Sequence, residues 1–268
     1  MVDYRWDQLD NARGYDMAAE HVHPHYREVQ EVILDGLSLA LIEELPALGG
    51  GLPTPPQSGW VIDLGGGSGR LAERILNCFP HVSVGVVDQS EAFLTLARER
   101  LSRFGERAFF QQARLQSDWS RELPAAPRAI VSMSAIHHLD PGEKQTLYRQ
   151  CAECLAPGGV LMNGDEVRPE SGEDYLAECR RWAEHMHRVI DAGLIPEALQ
   201  SALRGWEARN VVQFGVPRVS GDDCHETAAT QLNYFEQAGL SDTRLLWQNE
   251  LWGVLFGRNT STQRRQVD

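Results

Sequence analysis

The chain has 268 residues and a formal net charge of −13, from 38 acidic against 25 basic side chains. That field repels phosphate backbones and anionic lipid, so nucleic acid is disfavoured as a partner and no membrane is expected. The five cysteines are odd in number and scattered, which makes no disulfide framework, and the start MVDYRWDQLDNARGYD is polar rather than leader-like. The expectation is a cytoplasmic, reduced protein, monomer or homodimer, with length enough for one large domain carrying an inserted cap.

Residues 17–45 predict a helix, with an apolar series at Val29, Val32, Ile33, Leu37, Leu41 and Ile42. PALGGGLPTPPQSG then breaks the pattern and reads as a linker. Strand-like and helix-like segments alternate after it. GWVIDLG is a buried strand. GRLAERILNCF is a helix with Leu71, Ile75 and Cys78 on one face. VSVGVVD is a strand, and SEAFLTLARERLSRF a helix with Ser90 as its N-cap. RAIVSMS, GEKQTLYRQCAECLA and GGVLMNGDEV continue as strand, helix and strand. Such alternation implies a parallel sheet with helices on both faces. Residues 170–210 read as helices without a strand signal. Near the end, a helix stopped by Gly239 precedes a strand hairpin in LWQNELWGVLFG, and the tail STQRRQVD is expected to be disordered.

The segment VIDLGGGSGR places glycine at 65, 66, 67 and 69 directly after a strand. Glycine loses the most backbone freedom on folding, so a cluster of this kind marks a close approach to the main chain. The dinucleotide spacing G-x-G-x-x-G would need glycine where Arg70 stands, and no G-K-[ST] follows. The pattern is D-x-G-x-G-x-G, formed by Asp63, Gly65, Gly67 and Gly69. Asp63 would oppose a pyrophosphate and suit a cation. Asp88 ends the next strand, where a carboxylate can accept from both ribose hydroxyls. Adenosine with a cationic amino-acid tail fits both acids.

These stretches, together with AIVSMSAIHHL, CLAPGGVLMNGDEV and YFEQAGLSD…LWGVLFGRN, resemble in order the motifs of class I S-adenosylmethionine-dependent methyltransferases, over residues 58–167 and 226–258. The resemblance implies a three-layer α/β Rossmann-like fold, with a mostly parallel seven-stranded sheet, an antiparallel last strand and a helical cap. It implies S-adenosyl-L-methionine as cofactor, S-adenosyl-L-homocysteine as product, and methyl transfer to an oxygen or nitrogen of a small molecule of secondary-metabolite type. The cofactor contacts it implies are Tyr15, Asp63, Gly65, Gly66, Gly67, Asp88, Gln89, Gln112, Ala113, Ser132 and Met133. Two positions depart from the family pattern. Gln112 and Ala113 stand where a G-D pair often contacts the adenine, and Arg128 replaces an acid at the start of the fourth strand. The organisation expected is an N-terminal helical cap and linker (1–57), a cofactor-binding core (58–168), a helical lid (169–225), a closing helix and hairpin (226–258) and a tail (259–268).

Methyl transfer from a sulfonium needs an aligned nucleophile and often a base to take its proton. His137 and His138 lie after the fourth strand, and the resemblance to small-molecule O-methyltransferases makes one of them the base, with Asp165 orienting the ring. His21, His25, Tyr175, Trp182 and His185 are candidate acceptor contacts, on the pocket mouth or in the lid. Cys151-x-x-Cys154 lies inside an amphipathic helix with no partner pair, so no metal site is expected. Three other readings stay open: a tRNA-modification-related methyltransferase or cofactor-modifying enzyme, a non-methylating relative, and an interaction protein that keeps the fold.

Overall fold

Strands that are apolar on both faces cannot lie against water, and in the computed structural model, which describes residues 5–42 and 59–260, they are buried between helices. The chain enters through α1 (Leu9–Val22) and α2 (Tyr26–Ile42). It then alternates β1 (Trp60–Leu64), α3 (Arg70–Cys78), β2 (Ser83–Asp88), α4 (Glu91–Leu101), β3 (Ala108–Gln112), β4 (Ala129–Met133), α5 (Pro141–Cys154) and β5 (Val160–Glu166). After α6 (Gly172–Asp191) and α7 (Glu197–Glu207), it closes with α8 (Ala228–Gln237), β6 (Ser241–Asn249) and β7 (Trp252–Arg258).

The seven strands form one sheet in the order β3-β2-β1-β4-β5-β7-β6. Neighbours among β1 to β5 pair in parallel, and β7 runs antiparallel to both β5 and β6. Strand order reverses between β1 and β4, so the crevice beyond their carboxyl ends is where a ligand of this architecture sits. Alternate strand residues face opposite layers. Val61, Val84, Val131 and Met162 pack toward α2, α3 and α4, whereas Ile62, Val87, Ile130 and Leu161 pack toward α5 and α8.

Several expected boundaries shift. The single helix expected over 17–45 is two helices, because Pro24 disfavours helical geometry at His23, which sits at φ −100° and ψ 112°. In α3 the buried face is Leu71, Ala72, Ile75 and Leu76; Cys78 shares that face by spacing but is exposed, because it is the last residue of the helix. Ser90 caps α4 as expected, accepting from the Phe93 N–H at 3.2 Å. Asn259 is held in place, its amide donating to the Ala152 and Leu155 carbonyls at the end of α5. The linker and the stretch STQRRQVD lie outside the described residues.

Candidate active site

β1 runs out at Leu64 and the chain turns over the sheet edge through glycines with φ of +64° at Gly65, +52° at Gly67 and +77° at Gly69. A Cβ at Gly65 would lie 2.3 Å from the Cβ of Ala135, and one at Gly67 would meet only Phe93, at 3.9 Å. Gly65 is therefore fixed by packing, while Gly67 keeps bare peptide open to the cavity. Asp88, at the end of β2, accepts the Gly67 N–H at 3.0 Å and the Ser90 N–H at 2.8 Å. Burial pushes its carboxyl up to about 6 despite those bonds. Asp63 is pushed up to about 8, by burial and then by the charge of Asp88, and its Oδ2 has no hydrogen-bond partner among the described residues. Two buried acids thus flank a glycine cradle, Asp88 with oxygens that can accept from hydroxyls and Asp63 poised to give up its proton beside a positive charge, a set that suits a sulfonium nucleoside.

A cavity of about 360 Å³ opens over this cradle, and its wall includes Asp63, Gly65, Gly66, Gly67, Asp88, Gln89, Ala113 and Met133. Tyr15 covers it from α1, with its hydroxyl 2.8 Å from His23 Nε2. The helix is fastened there by Asp16, which accepts from Ser68 Oγ, Arg70 Nε and Arg100 Nη2. Burial drives the His23 ring down to about 3, so it stays neutral beside the tyrosine.

The other end of the cavity holds the two histidines that follow β4. Ser134 leaves that strand at φ +55°, a conformation a serine rarely adopts, and the turn that follows brings His137 and His138 into the cavity wall. His137 Nδ1 lies 2.7 Å from Asp165 Oδ1, and its backbone N–H donates to Asp165 Oδ2 at 2.9 Å. Both side chains are buried. Burial alone would lower the His137 ring, but the carboxylates of Glu166 and Asp165 outweigh it and raise it to about 9. His138 moves the other way, to about 3, through burial and the neighbouring charge of His137. The two adjacent rings therefore differ in protonation at neutral pH.

The cavity is also walled by Trp182 and Met186 of α6 and by Leu199, Leu203 and Trp206 of α7. The two indoles lie 4.4 Å apart between centroids, and Trp182 Nε1 donates to the Val22 carbonyl at 2.8 Å. Among the described residues, His137, His138 and Asp223 bring ligand atoms within 4.8 Å of one another. The carboxylate of that set is already held by Arg209 at 3.0 Å and Asn210 at 2.8 Å. A metal ion there would sit beside a guanidinium and displace the His137 proton.

Several candidate residues lie outside the cavity wall, each engaged elsewhere. Gln112 donates its amide to the Gln89 carbonyl at 3.2 Å, so of the adenine-side pair only Ala113 reaches the wall. Ser132 is fully buried and donates to the Leu64 carbonyl at 2.8 Å, tying β4 to β1. Asp165 stands behind His137. His21 lends its carbonyl to His185 Nε2 at 2.7 Å, and His25 pairs with Glu28 and Glu250. Tyr175 bonds His225 at 2.6 Å. Of the five candidate acceptor contacts, only Trp182 lines the cavity. The wall also contains His23 and Trp206, and Glu166, Arg209 and Asp223, the last three of which the sequence did not single out. Glu166 could have been found as the second acid of GDEV, on the same strand end as Asp165. Asp223 and Arg209 carry no local signal, since only tertiary docking brings them here.

Comparison with known proteins agrees with this architecture. The family described as Methyltransferase domain matches residues 62–161. The 6-hydroxytryprostatin B O-methyltransferase of Aspergillus fumigatus is 31% identical over 121 residues, 45% of this chain and 34% of that protein. The trans-aconitate 2-methyltransferase of Variovorax paradoxus is 39% identical over 109 residues, 40% of this chain and 38% of that protein. The chain thus spans about a third of the length of these two relatives. Human N-acetylserotonin methyltransferase, solved with S-adenosylmethionine, superposes with a TM-score of 0.56 at 17% identity, covering 93% of this chain and 56% of that one. By motif order, sheet topology and family match, residues 62–161 form a methyltransferase domain, set in a fold shared with S-adenosylmethionine-dependent methyltransferases.

Proposed function

We propose that the protein transfers a methyl group from S-adenosylmethionine to an oxygen of a small, largely apolar acceptor, with His137 as general base and Asp165 as the group that orients it. The observation that carries this reading is His137 on the wall of the cavity that also contains the glycine cradle, with Asp165 behind it at 2.7 Å. The names of the relatives, an O-methyltransferase of a hydroxylated natural product among them, support oxygen as the acceptor atom.

Asp88, Asp63 and the bare peptide at Gly67 would hold the cofactor, with Tyr15 over it. When bound, it supplies a methyl group on a sulfonium, a leaving group that needs no acid. The chain's own work is then to align the acceptor, keep water out and accept a proton. Trp182, Trp206 and Met186 would bury the acceptor's apolar body. With Nδ1 given to Asp165, Nε2 of His137 is the nitrogen left to take a hydroxyl proton, and Asp165 stabilises the imidazolium that results. Because His137 holds its proton up to about pH 9 in the ligand-free protein, its basic form grows about tenfold per pH unit below that point.

The same proton favours a second reading. An acceptor that is already a carboxylate needs no base, and an imidazolium would steer it; one relative bears the name trans-aconitate 2-methyltransferase. The two readings part on pH. With a hydroxylated acceptor, turnover rises with pH toward about 9, whereas with a carboxylate acceptor it falls over the same range.

The test is release of S-adenosylhomocysteine with a panel of phenolic, hydroxylated and carboxylic acceptors. His137→Gln is expected to lower turnover on hydroxyl acceptors by about 10²–10⁴-fold, the usual contribution of a general base, with cofactor affinity unchanged. Wild-type turnover in that variant ends the assignment of the base.

A further inference from the structure

One carboxylate on His137 is accounted for, but a second lies close to the same nitrogen: Glu166 Oε1 is 3.8 Å from His137 Nδ1. Glu166 is buried, and its other oxygen is in ion-pair contact with Nε2 of His225. The His225 ring lies 5.7 Å from that of His137. Its other nitrogen, Nδ1, is 2.6 Å from the hydroxyl of Tyr175 on α6. The Glu166 carboxylate can only accept, which puts a ring proton on Nε2, and burial keeps the Tyr175 hydroxyl protonated, so a neutral ring accepts its hydrogen bond at Nδ1. An imidazole that accepts at Nδ1 carries its own proton at Nε2, where Glu166 stands.

We propose that His225 is a positioning residue for the base: locked in one tautomer by Tyr175, it holds Glu166 against His137 as a second carboxylate, so that the end of the lid insertion completes the dyad. This rests on the reading of His137 as the base.

The backbone around His225 is fastened to the same turn. Cys224 N–H donates to the His137 carbonyl and Gly221 N–H to the His138 carbonyl, both at 2.8 Å. Lys144 clasps the Cys224 carbonyl and, at 2.9 Å, Glu226. The segment is therefore a strap across the histidine turn, and displacing His225 means undoing these bonds. The other groups that bear on His137 have hydrogen-bond partners apart from His225, although His225 also bears on the charge of Asp223. Asp165 comes from β5, His138 from the same turn, and Asp223 from the strap, where Arg209 and Asn210 fix it. His23 faces it from the N-terminal side. Glu166 is the one His225 touches. At under 4 Å in a buried site, a carboxylate has a large effect on an imidazolium.

Histidine-selective NMR titration of the full chain tests this without an acceptor, with the His137 resonance assigned by its loss in His137→Gln. Glu166→Gln and His225→Leu are each expected to lower the His137 titration midpoint by about one pH unit, the small end of the effect of a neighbouring charge. The double variant should lower it no further than Glu166→Gln alone. Tyr175→Phe should release the tautomer, giving mixed nitrogen shifts at His225 and a smaller change at His137. An unmoved midpoint in Glu166→Gln overturns the second carboxylate. A shift there with none in His225→Leu overturns the positioning role. Should His225→Leu fail to fold, Tyr175→Phe, which removes a single hydroxyl, decides: an unchanged His225 tautomer and an unchanged midpoint overturn the proposal. Failure of the base reading would show separately, as full turnover in His137→Gln with the titration results intact.

Discussion

Asp88 is asked to stay charged in a place that resists charge. Burial holds it up at about 6, and its two N–H partners at Gly67 and Ser90 leave each oxygen with room for one more donor. A pair of ribose hydroxyls would fill those places. Asp88→Ala is therefore expected to weaken S-adenosylmethionine binding by about 1–3 kcal/mol, the cost of leaving such groups unpaired; calorimetry with an unchanged dissociation constant would remove Asp88 from the cofactor. Asp63 and Asp88 were legible in the sequence because each ends a strand beside the glycine cluster, where backbone geometry settles what a carboxylate can reach. Ser132 and Gln112 were not, because a motif fixes a position in the chain and not the side a strand residue faces: Ser132 turns to the Leu64 carbonyl. The choice between His137 and His138 also lay beyond the sequence. It depends on which ring meets Asp165, a strand away.

At the scale of elements, the alternation from β1 to β5 could be read from apolar runs and amphipathic periods, since burial on both faces leaves a parallel strand little freedom of composition. Helices α6 and α7 were equally legible as helices. What could not be read was where their ends attach, because the strap at 219–226 is placed by hydrogen bonds to the histidine turn rather than by any pattern of its own. The N-terminal helix poses the same problem. Asp16 joins α1 to Ser68, Arg70 and Arg100, so the element that carries Tyr15 is pinned to the glycine loop by one carboxylate only partly open to water. Removing its charge leaves two guanidinium groups without their shared partner. Asp16→Asn is expected to lower stability by about 1–3 kcal/mol and to weaken cofactor binding as well, because the loosened helix uncovers the cavity. Urea unfolding and cofactor titration check the two effects; a loss of stability with full cofactor affinity would show that α1 is a brace and no part of the cofactor wall.

For the molecule as a whole, the buried titratable groups set how stability follows pH. Asp63 is raised from 3.8 to about 8 and His137 from 6.5 to about 9. Each holds in the fold a proton that the unfolded chain gives up sooner, so the native state binds more protons between those values and loses stability as pH rises through them. His23 and His138 act in the opposite sense. Lowered from 6.5 to about 3, they refuse protons that the unfolded chain accepts, and stability falls as pH drops through that window. Between about 4 and 6 the raised carboxyls of Asp63 and Asp88 oppose the two lowered histidines, and the slopes largely cancel. Above 6.5 nothing in this set offsets Asp63 and His137. Thermal melting of the ligand-free protein should therefore change little across the mildly acidic range and fall steadily from pH 6.5 to 9. Asp63→Asn and His137→Gln should each flatten the alkaline fall, and the pair should flatten it more than either alone, because neither group is among the main charges that shift the other. A melting temperature that rises between pH 7 and 9 would mean that these two sites do not hold their protons in the fold, and both the protonated Asp63 of the cradle and the protonated His137 would have to be given up.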